Sequence, residues 1–376
     1  MRQRLWILLA LVALVIAACG GDTADTTTAD GDGPDETTAP AEGTACELDQ
    51  TDGELNLYNW SEYMDPELIT AFEEQYGVEV IETFYDSNET MLAQIQAGVV
   101  YDLIVPSDYM VNLMIEEGLL MPLSTDAVPN VENLGEQFVG LPYDPNGEYS
   151  VPYQWGTTGL GVNVSVVGED FEPSWALVFD PDMTADYPGG VSLLNDPRET
   201  LGAALKYLGY GLNETSDEAL QEAADLVAAA NVTTFDSDQY TDNLINGEVA
   251  VSHGYSGNYF AAFFEVEDPD NWAYVIPDEG ATLWTDNIAV PAEAEHPCTA
   301  HTFINFIMDA ENGAQLTNWT YYASPNAAAE ESILAEILED PAIYPDDDTF
   351  IRLEAIEDTG DEEIKFTDFF NIARGG

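Results

Sequence analysis

The chain has 376 residues, with 72 Asp and Glu against seven Lys and Arg, which gives a formal net charge of −65. Hydrophobic residues make up 45% of the chain, so it can bury a core and is not a wholly disordered protein. The negative charge excludes nucleic acid as a partner and disfavours anionic membranes and anionic substrates, because like charges repel.

The acidic residues are spread along the chain, and no Lys or Arg occurs between residues 47 and 197. This pattern favours adaptation to high salt over a ligand-driven explanation of the total charge. At about 1 M salt the Debye length falls to about 3 Å, and the self-repulsion is screened. Individual carboxylates remain free for specific roles.

The N-terminus has the pattern of a secretion signal. Arg2 and Arg4 precede a short apolar run, residues 5–16, which ends in small residues before Cys19. The segment resembles a bacterial lipobox, which predicts a signal peptide over residues 1–18 and a lipid on Cys19. The alternative is a plain signal cut after Ala18. Residues 19–45, rich in Gly, Asp, Thr and Pro, are predicted to be a flexible tether.

Two further cysteines, Cys46 and Cys298, would reside outside the cytoplasm, where such a pair can oxidise. The sequence gives no distance between them, so a disulfide and two free thiols stay equally open.

Strand-like and helix-like segments alternate along the first half. The expected elements are a strand over 54–59, a helix capped by Asp65 and Pro66 and ended by Gly77, a strand over 78–81, a helix capped by Ser87 and closed by Gly98, a strand over 102–106, and a helix capped by Ser107.

The same pattern restarts after residue 190. The expected elements are strands over 191–194, 249–252, 272–276 and 283–290, and helices over 197–208, 216–230, near 259, 299–308, 311–318 and 328–338. The alternation predicts an α/β fold of two lobes with a cleft, each lobe a mainly parallel sheet flanked by helices. We assign residues 46–156 and 287–320 to the first lobe, and residues 157–286 and 321–376 to the second.

Ligands of open parallel sheets lie at the carboxyl ends of the strands. The residues at these positions include Trp60, Ser61, Glu62, Tyr63, Ser107, Tyr109, Asp196, Glu199 and Tyr255. They are mainly aromatic and acidic, and they include no Lys or Arg. Carboxylates pair with ammonium groups and aromatic faces attract cations, so the set suits an elongated cation.

Each candidate also has a structural explanation. Asp196 and Glu199 have the spacing of a helix cap, which the spacing alone favours, and Ser107 is interpreted more readily as a cap than as a ligand contact. Trp60 and Trp284 could be ordinary half-buried aromatics. Asp286 is harder to explain in this way, because it lies on an apolar strand with no basic residue nearby in sequence.

Several segments resemble the spermidine/putrescine-binding proteins of bacterial polyamine ABC transporters. They are LYNWSEY from residue 57, YDSNETM from 85, YDLIVPS from 101, YSVPYQWG from 149, NDPRE from 195, LWTD from 283 and SPN from 324. The ordered set covers residues 53–376 and is specific as a set, although no single motif is decisive.

The resemblance implies a type II periplasmic-binding fold that closes on a polyamine. It implies that Glu199 and Asp286 bind one amine, with Trp284 and Asp196 beside them. Glu62 would help to hold the other end, next to Ser61 and Tyr63. The residues implied to flank the ligand are Trp60, Tyr109 and Tyr255, with a weaker contact from Tyr322. Ser61, Tyr255 and Ile356 depart from the family's Thr, Trp and Gln, which leaves the preferred polyamine open.

The expected function is therefore capture by a lipid-anchored, extracytoplasmic solute-binding protein, a monomer that delivers its ligand to a permease and an ATPase. We expect no catalysis, no cofactor and no metal. A sugar or amino acid is the alternative ligand, and an extracellular enzyme is a weaker one. His296, Cys298 and His301 match no strong zinc spacing, and no hydrolase or phosphate-loop motif occurs.

Overall fold

The computed structural model describes residues 45–375. The predicted signal peptide, Cys19 and the tether up to residue 44 lie outside the described residues. The described residues, 45–375, belong to one compact unit. Across residues 45–375, no helix has both the length and the apolar character that crossing a bilayer demands.

Nine strands form one mixed sheet. They are β1 (Leu55–Trp60), β2 (Val80–Tyr85), β3 (Leu103–Ile104), β4 (Ser150–Asn163), β5 (Val191–Leu193), β6 (Val232–Phe235), β7 (Val251–Tyr255), β8 (Trp272–Val275) and β9 (Thr282–Ala289).

Fifteen α-helices occur among the described residues. They are α1 (Pro66–Tyr76), α2 (Asn88–Gln96), α3 (Asp108–Glu116), α4 (Val164–Val167), α5 (Ala176–Phe179), α6 (Pro181–Thr184), α7 (Pro197–Leu208), α8 (Asp217–Ala229), α9 (Tyr240–Ile245), α10 (Ser256–Glu265), α11 (Pro297–Ile307), α12 (Ala310–Thr320), α13 (Ala335–Leu338), α14 (Asp347–Phe350) and α15 (Glu363–Ala373).

The sheet has two parallel ends and an antiparallel centre. The strand order is β2-β1-β3-β9-β4-β7-β5-β6, and β8 pairs separately with β4. Strands β2, β1 and β3 are parallel to one another, and so are β7, β5 and β6. The long antiparallel pair of β4 and β9 joins these two groups. The predicted α/β arrangement is confirmed.

Helix caps follow the sequence closely. The Asp65 side chain accepts a hydrogen bond from the Glu67 backbone N–H at the start of α1, and Gly77 ends that helix with a φ of 70°. Asp196 accepts from the backbone N–H groups of Arg198 and Glu199 at the start of α7. The first start was predicted from the pair Asp65-Pro66, and the second from the capping spacing of Asp196 and Glu199.

Two expectations about elements are wrong, and one long strand was missed. Strand β2 begins and ends later than residues 78–81. The helix expected over 328–338 is a 3-10 helix over 327–332 followed by α13. The break has a physical cause, because the Asn318 side chain donates to the Ser332 carbonyl and accepts from the Leu334 N–H, both in place of helical bonds. Strand β4 was not predicted at all.

The apolar side chains form separate clusters on the two parallel groups. One cluster combines residues 160–283 with the C-terminal residues Leu353, Phe366 and Phe370. Another combines residues 55–153 with residues 284–322. The assignment of residues to two lobes stays a prediction, and these clusters are compatible with it.

Cys46 and Cys298 are bonded in a disulfide, with their Cα atoms 5.3 Å apart. The bond is buried with Ala127 and ties the first described residues to the start of α11. Of the two states that the sequence left open, the structure has the disulfide.

Candidate functional site

The candidate site lies on one face of the central strands. Tyr255 on β7 is opposite Thr158 on β4, which is in turn opposite Thr282 on β9. Side chains two residues apart on a strand share a face, so Trp284 and Asp286 follow Thr282 on this face. Tyr255 is the last residue of β7, and Ser107, which contacts Asp286, follows β3. Strands of both parallel groups therefore have their carboxyl ends at this face.

Glu199 is held in this face by two threonines. It lies in the first turn of α7 and is only 5% exposed. Thr158 Oγ1 donates to Glu199 Oε1 at 2.9 Å, and Thr282 Oγ1 donates to Oε2 at 2.7 Å. Burial raises the pKa of Glu199 to about 8, and the neighbouring Asp196 carboxylate contributes to the rise. This carboxylate therefore favours a positively charged partner.

Asp286 has a similar environment on the other side of Trp284. It is 6% exposed, and Ser107 Oγ donates to its Oδ1 at 2.6 Å. Asn88 orients this serine, because Asn88 Nδ2 donates to Ser107 Oγ at 2.9 Å. Burial raises the pKa of Asp286 to about 7. Ser107 holds the N-cap position of α3, as predicted, but its side chain makes no cap bond and donates to Asp286 instead.

An aromatic group lies between and around these acids. Trp284 meets Tyr322 edge to face at 5.1 Å between ring centroids, and it meets Tyr255 at 6.2 Å. Tyr322 also contacts Tyr63 at 5.3 Å and donates its hydroxyl proton to Asn258. Burial raises the pKa of Tyr255, and the carboxylates of Asp196, Glu199 and Asp286 raise it further.

Asp196 combines a structural and an electrostatic role. Both of its helix-capping bonds use Oδ1, at 2.8 and 3.0 Å. The capping interpretation is confirmed, and the other carboxylate oxygen receives no hydrogen bond from the described residues. Burial raises the pKa of this carboxyl.

Four further predicted residues lie at the margin of this group. Trp60 donates its indole N–H to the Val105 carbonyl at 2.9 Å and is half-buried. Tyr109 donates to Glu89 at 3.0 Å. Ser61 and Glu62 are exposed. Glu62 has a φ of 56°, a left-handed conformation that costs about 1 kcal/mol for a residue with a Cβ.

Sequence reasoning missed several residues of the site, namely Asn88, Thr158, Asn258 and Thr282, together with the acids Glu89 and Asp108. Thr282 could have been found, because it shares the two-residue period of Trp284 and Asp286. Thr158 could not, since β4 itself was not predicted. Asp108 is buried beside Asp286, and burial raises its pKa to about 7.

No basic side chain in the described part of the chain forms a salt bridge with Glu199 or Asp286. Arg198, the Arg nearest in sequence, points its guanidinium to Glu363 at 2.6 Å and to Asn213 at 2.6 Å. Two buried carboxylates that have only hydroxyl donors can receive their positive charge from a ligand.

The three histidines have other partners or surroundings. His253 is buried beside Trp175, and burial lowers its pKa to about 3. His296 contacts Asp102, while His301 Nε2 accepts from the Ser124 N–H at 2.9 Å. The disulfide occupies the Cys298 sulfur, so the cluster of His296, Cys298 and His301 has lost its thiolate.

An apolar groove of about 410 Å³ lies apart from these residues. It is lined by residues 123–152, including Val128, Phe138 and Leu141, and by none of the predicted ligand-binding residues. Its lining includes two acids, Glu132 and Asp144, and Asp144 accepts hydrogen bonds from the backbone N–H groups of residues 148–150.

Residues 67–345 match the family described as bacterial extracellular solute-binding protein. The chain belongs to this family, whose members are solute-binding transport proteins and not enzymes. The fold is that of the type II periplasmic-binding proteins, as predicted.

Named relatives are similar over most of the chain. The putrescine/cadaverine-binding protein of Pseudomonas aeruginosa is 34% identical over 81% of this chain and 88% of that relative. The spermidine/putrescine-binding periplasmic protein of Escherichia coli is 33% identical over 86% of this chain and 92% of that relative. The solved spermidine/putrescine ABC transporter substrate-binding protein of Streptococcus pneumoniae superposes with a TM-score of 0.73, at 34% identity over 86% of this chain and 99% of that one. The resemblance noted from the motifs is confirmed.

Proposed function

We propose that the protein captures a polyamine, putrescine or spermidine, between its lobes and delivers it to the permease and ATPase of an ABC importer. The observation that carries this proposal is the pair of buried carboxylates, Glu199 and Asp286, with aromatic rings between them and no basic partner among the described residues. Ammonium groups would supply the missing charge, and the rings would cover the methylenes. The polyamine ligands in the names of the relatives support the same conclusion.

The remaining predicted residues would act around these two acids. Asp196 adds a carboxylate beside Glu199, and Ser107 supports Asp286. Trp60, Tyr109, Tyr255 and Tyr322 flank the methylene chain. Glu62, with Ser61 and Tyr63 adjacent, receives the second amine.

An amino acid ligand is disfavoured by the position of Arg198. An α-carboxylate usually requires an Arg. The Nη1 and Nη2 atoms of Arg198 instead donate to Glu363, Asn213 and the Glu357 carbonyl. A sugar remains the second candidate, and the experiment below includes it.

Calorimetry on the chain from residue 45 onward, without the predicted lipid anchor, tests the proposal. Putrescine, spermidine, sugars and amino acids are titrated at low salt and at about 1 M salt, where the Debye length is about 3 Å. We expect micromolar or tighter binding of one polyamine that persists in high salt, because buried pairs are weakly screened. Loss of binding at high salt would indicate nonspecific attraction to the acidic surface. Heat of binding from a sugar or an amino acid, with none from either polyamine, would refute the proposal that the ligand is a polyamine.

We propose further that the protein is a monomer outside the cytoplasm, anchored only by lipid on Cys19. The pattern of residues 1–19 supports the anchor, and the disulfide supports an oxidising compartment. Expression of the full chain in a bacterial host with and without Cys19→Ser tests the anchor. We expect the wild-type chain in the membrane fraction with the mass of an acylated cysteine, and the variant in the soluble fraction. Equal partitioning of the two chains would refute it.

A further inference from the structure

The five basic residues of the described part share one role. The sequence has seven Lys and Arg, of which Arg2 and Arg4 precede the described residues. The other five all contact across the same boundary, between residues 195–278 and residues 352–374. The contacts are Arg198 to Glu363, Lys206 to Glu354, Arg352 to Asp278, Lys365 to Asp217, and Arg374 to Asn195. In a chain of charge −65, the cations thus hold the C-terminal segment.

Two of these cations belong to α7, the helix that carries Glu199. Lys206 is 9% exposed, and its Nζ lies 2.5 Å from Glu354 Oε1. Arg198 donates to the Glu357 carbonyl at 3.1 Å. Both ends of the segment from Glu354 to Glu357 are therefore bonded to α7, the helix that carries Glu199.

The same segment pairs with the start of β9. The Glu354 N–H donates to the Ala281 carbonyl at 3.1 Å, and the Glu354 carbonyl accepts from the Leu283 N–H at 2.9 Å. These bonds flank Thr282, which lies in a parallel bridge with Glu354. Thr282 is the residue whose hydroxyl donates to Glu199 Oε2.

Gly280 allows this close approach. A Cβ at this position would lie 2.1 Å from the Arg352 carbonyl oxygen and 2.9 Å from Lys206 Cε. The turn before β9 therefore packs directly against the Arg352 backbone and the Lys206 side chain.

We propose that Lys206 and Glu354 are positioning residues of the amine site, which hold Thr282 against Glu199 through the paired backbone of residues 281–283. The role for ligand affinity rests on the proposed function, whereas the effect on Glu199 itself does not. Release of the segment would let Thr282 move and weaken its hydrogen bond to the carboxylate. A carboxylate that loses a donor is harder to ionise.

The test measures the titration of Glu199 in the ligand-free chain by carboxyl carbon NMR, assigned with Glu199→Gln. We expect Lys206→Met to move the titration midpoint of Glu199 upward by at least about 0.5 pH unit. Lys206→Arg should restore most of the wild-type midpoint. Lys365→Met is the matched control, because it also removes a cation that holds the C-terminal segment, but through the exposed residues Asp217 and Glu362. It should leave the midpoint in place.

A double-mutant cycle separates positioning from the loss of a nearby charge. If Lys206 acts through Thr282, then Lys206→Met has little further effect in a Thr282→Val background. Glu354→Gln should reproduce the shift of Lys206→Met. An equal shift in both backgrounds, or the same shift in Lys365→Met, would overturn the proposal. Unfolding melts on each variant verify that the chains compared are folded.

Putrescine affinity gives the functional readout. We expect Lys206→Met to weaken binding at pH 7 by about three- to tenfold, with a smaller loss at pH 9, where Glu199 is ionised in either chain. Failure of the wild-type chain to bind any polyamine would refute the proposed function and leave the titration result to decide the positioning role.

Discussion

Ser107 gives its hydroxyl proton to Asp286 across 2.6 Å, and this bond joins the N-terminus of α3 to the middle of β9. An ionised carboxylate can only accept, so the serine is the donor, and Asn88 donates in turn to the same serine oxygen. On the other side of Trp284, Thr158 and Thr282 likewise donate their hydroxyl protons to Glu199. Each buried acid is oriented by hydroxyl donors, which stabilise a carboxylate without neutralising its charge.

The first prediction concerns these two acids. Glu199→Gln or Asp286→Asn should each weaken putrescine binding at least tenfold, or about 1.4 kcal/mol, because a buried ammonium loses its counter-charge. Calorimetry at about 1 M salt measures the change. Asp225→Asn, on the exposed side of α8, removes the same charge far from the site and should leave affinity within about twofold. Unchanged affinity in both site variants would remove these acids from the site.

The second prediction is that polyamine binding releases protons near neutral pH. Burial raises the pKa of Glu199 to about 8 and that of Asp286 to about 7, so both acids are partly protonated at pH 7 in the ligand-free chain. An ammonium ligand requires the ionised forms, and affinity should fall as the pH drops below 7. Calorimetry in two buffers of different ionisation enthalpy counts the protons. Identical heats in both buffers would contradict the prediction.

The same two pKa values predict how the stability of the ligand-free chain depends on pH. Both lie above the ordinary values of 4.5 for Glu and 3.8 for Asp. Between these values and pH 8, the folded chain binds more protons than the unfolded one, so the contribution of the two acids to the unfolding free energy falls as the pH rises. Urea unfolding of the wild-type chain and of Glu199→Gln is measured at pH 5 and at pH 8, which span the interval between the ordinary and the raised pKa values. The variant should lose less stability between these two pH values than the wild-type chain, because its side chain does not titrate. Equal losses would disprove this linkage.

The sequence was sufficient to predict most of the longer helices and the two central acids, Glu199 and Asp286, but not Glu89 or Asp108. Asp65-Pro66 and Asp196-Pro197 predict helix starts because a capping carboxylate and a prolyl φ are local properties. The position of Asp286 was informative for a similar reason, since an acid on an apolar strand needs a partner.

Strand β4 shows what the sequence alone could not reveal. All of its 14 residues are buried, so no alternation of polar and apolar residues marks it. It also contains Gly156, Gly159 and Gly161, which are poor strand formers. A Cβ would meet the ring of Trp284 at Gly156, the Val275 carbonyl at Gly159 and the ring of Tyr259 at Gly161. Only the tertiary packing explains these glycines. The disulfide was undecidable for a related reason, because a separation of 252 residues implies no distance.

The fourth prediction follows from Gly156, which lies opposite Trp284 across β4 and β9. A Cβ at Gly156 would lie 2.6 Å from Trp284 Cζ2, so Gly156→Ala should displace the indole from its position between the two acids. We expect at least a fivefold loss of putrescine affinity, about 1 kcal/mol, in line with the loss of one cation–π contact. Titration calorimetry, with the tryptophan fluorescence spectrum of the ligand-free chain, measures both effects.

Gly211→Ala is the matched control for this variant. The nearest atom to a Cβ at Gly211 is Glu354 Oε2 at 3.6 Å, an ordinary contact. It should change neither the affinity nor the spectrum. Wild-type affinity in Gly156→Ala would mean that Trp284 does not contribute to binding.

The last prediction separates stability from ligand binding at the disulfide. Cys46 and Cys298 close a loop with a sequence separation of 252 residues, and loss of such a bond typically costs about 2–5 kcal/mol. The bond lies in a buried cluster with Ala127, and none of the predicted ligand-binding residues belongs to that cluster. We therefore expect the double variant Cys46→Ser, Cys298→Ser to unfold at lower urea concentration with a steeper dependence on urea, because its unfolded chain exposes more surface, while the putrescine Kd at 25 °C stays within about twofold of wild type. The wild-type chain under reducing conditions should behave like the variant. A variant that keeps its unfolding midpoint, or one that stays folded but loses affinity, would show that the bond has a different role.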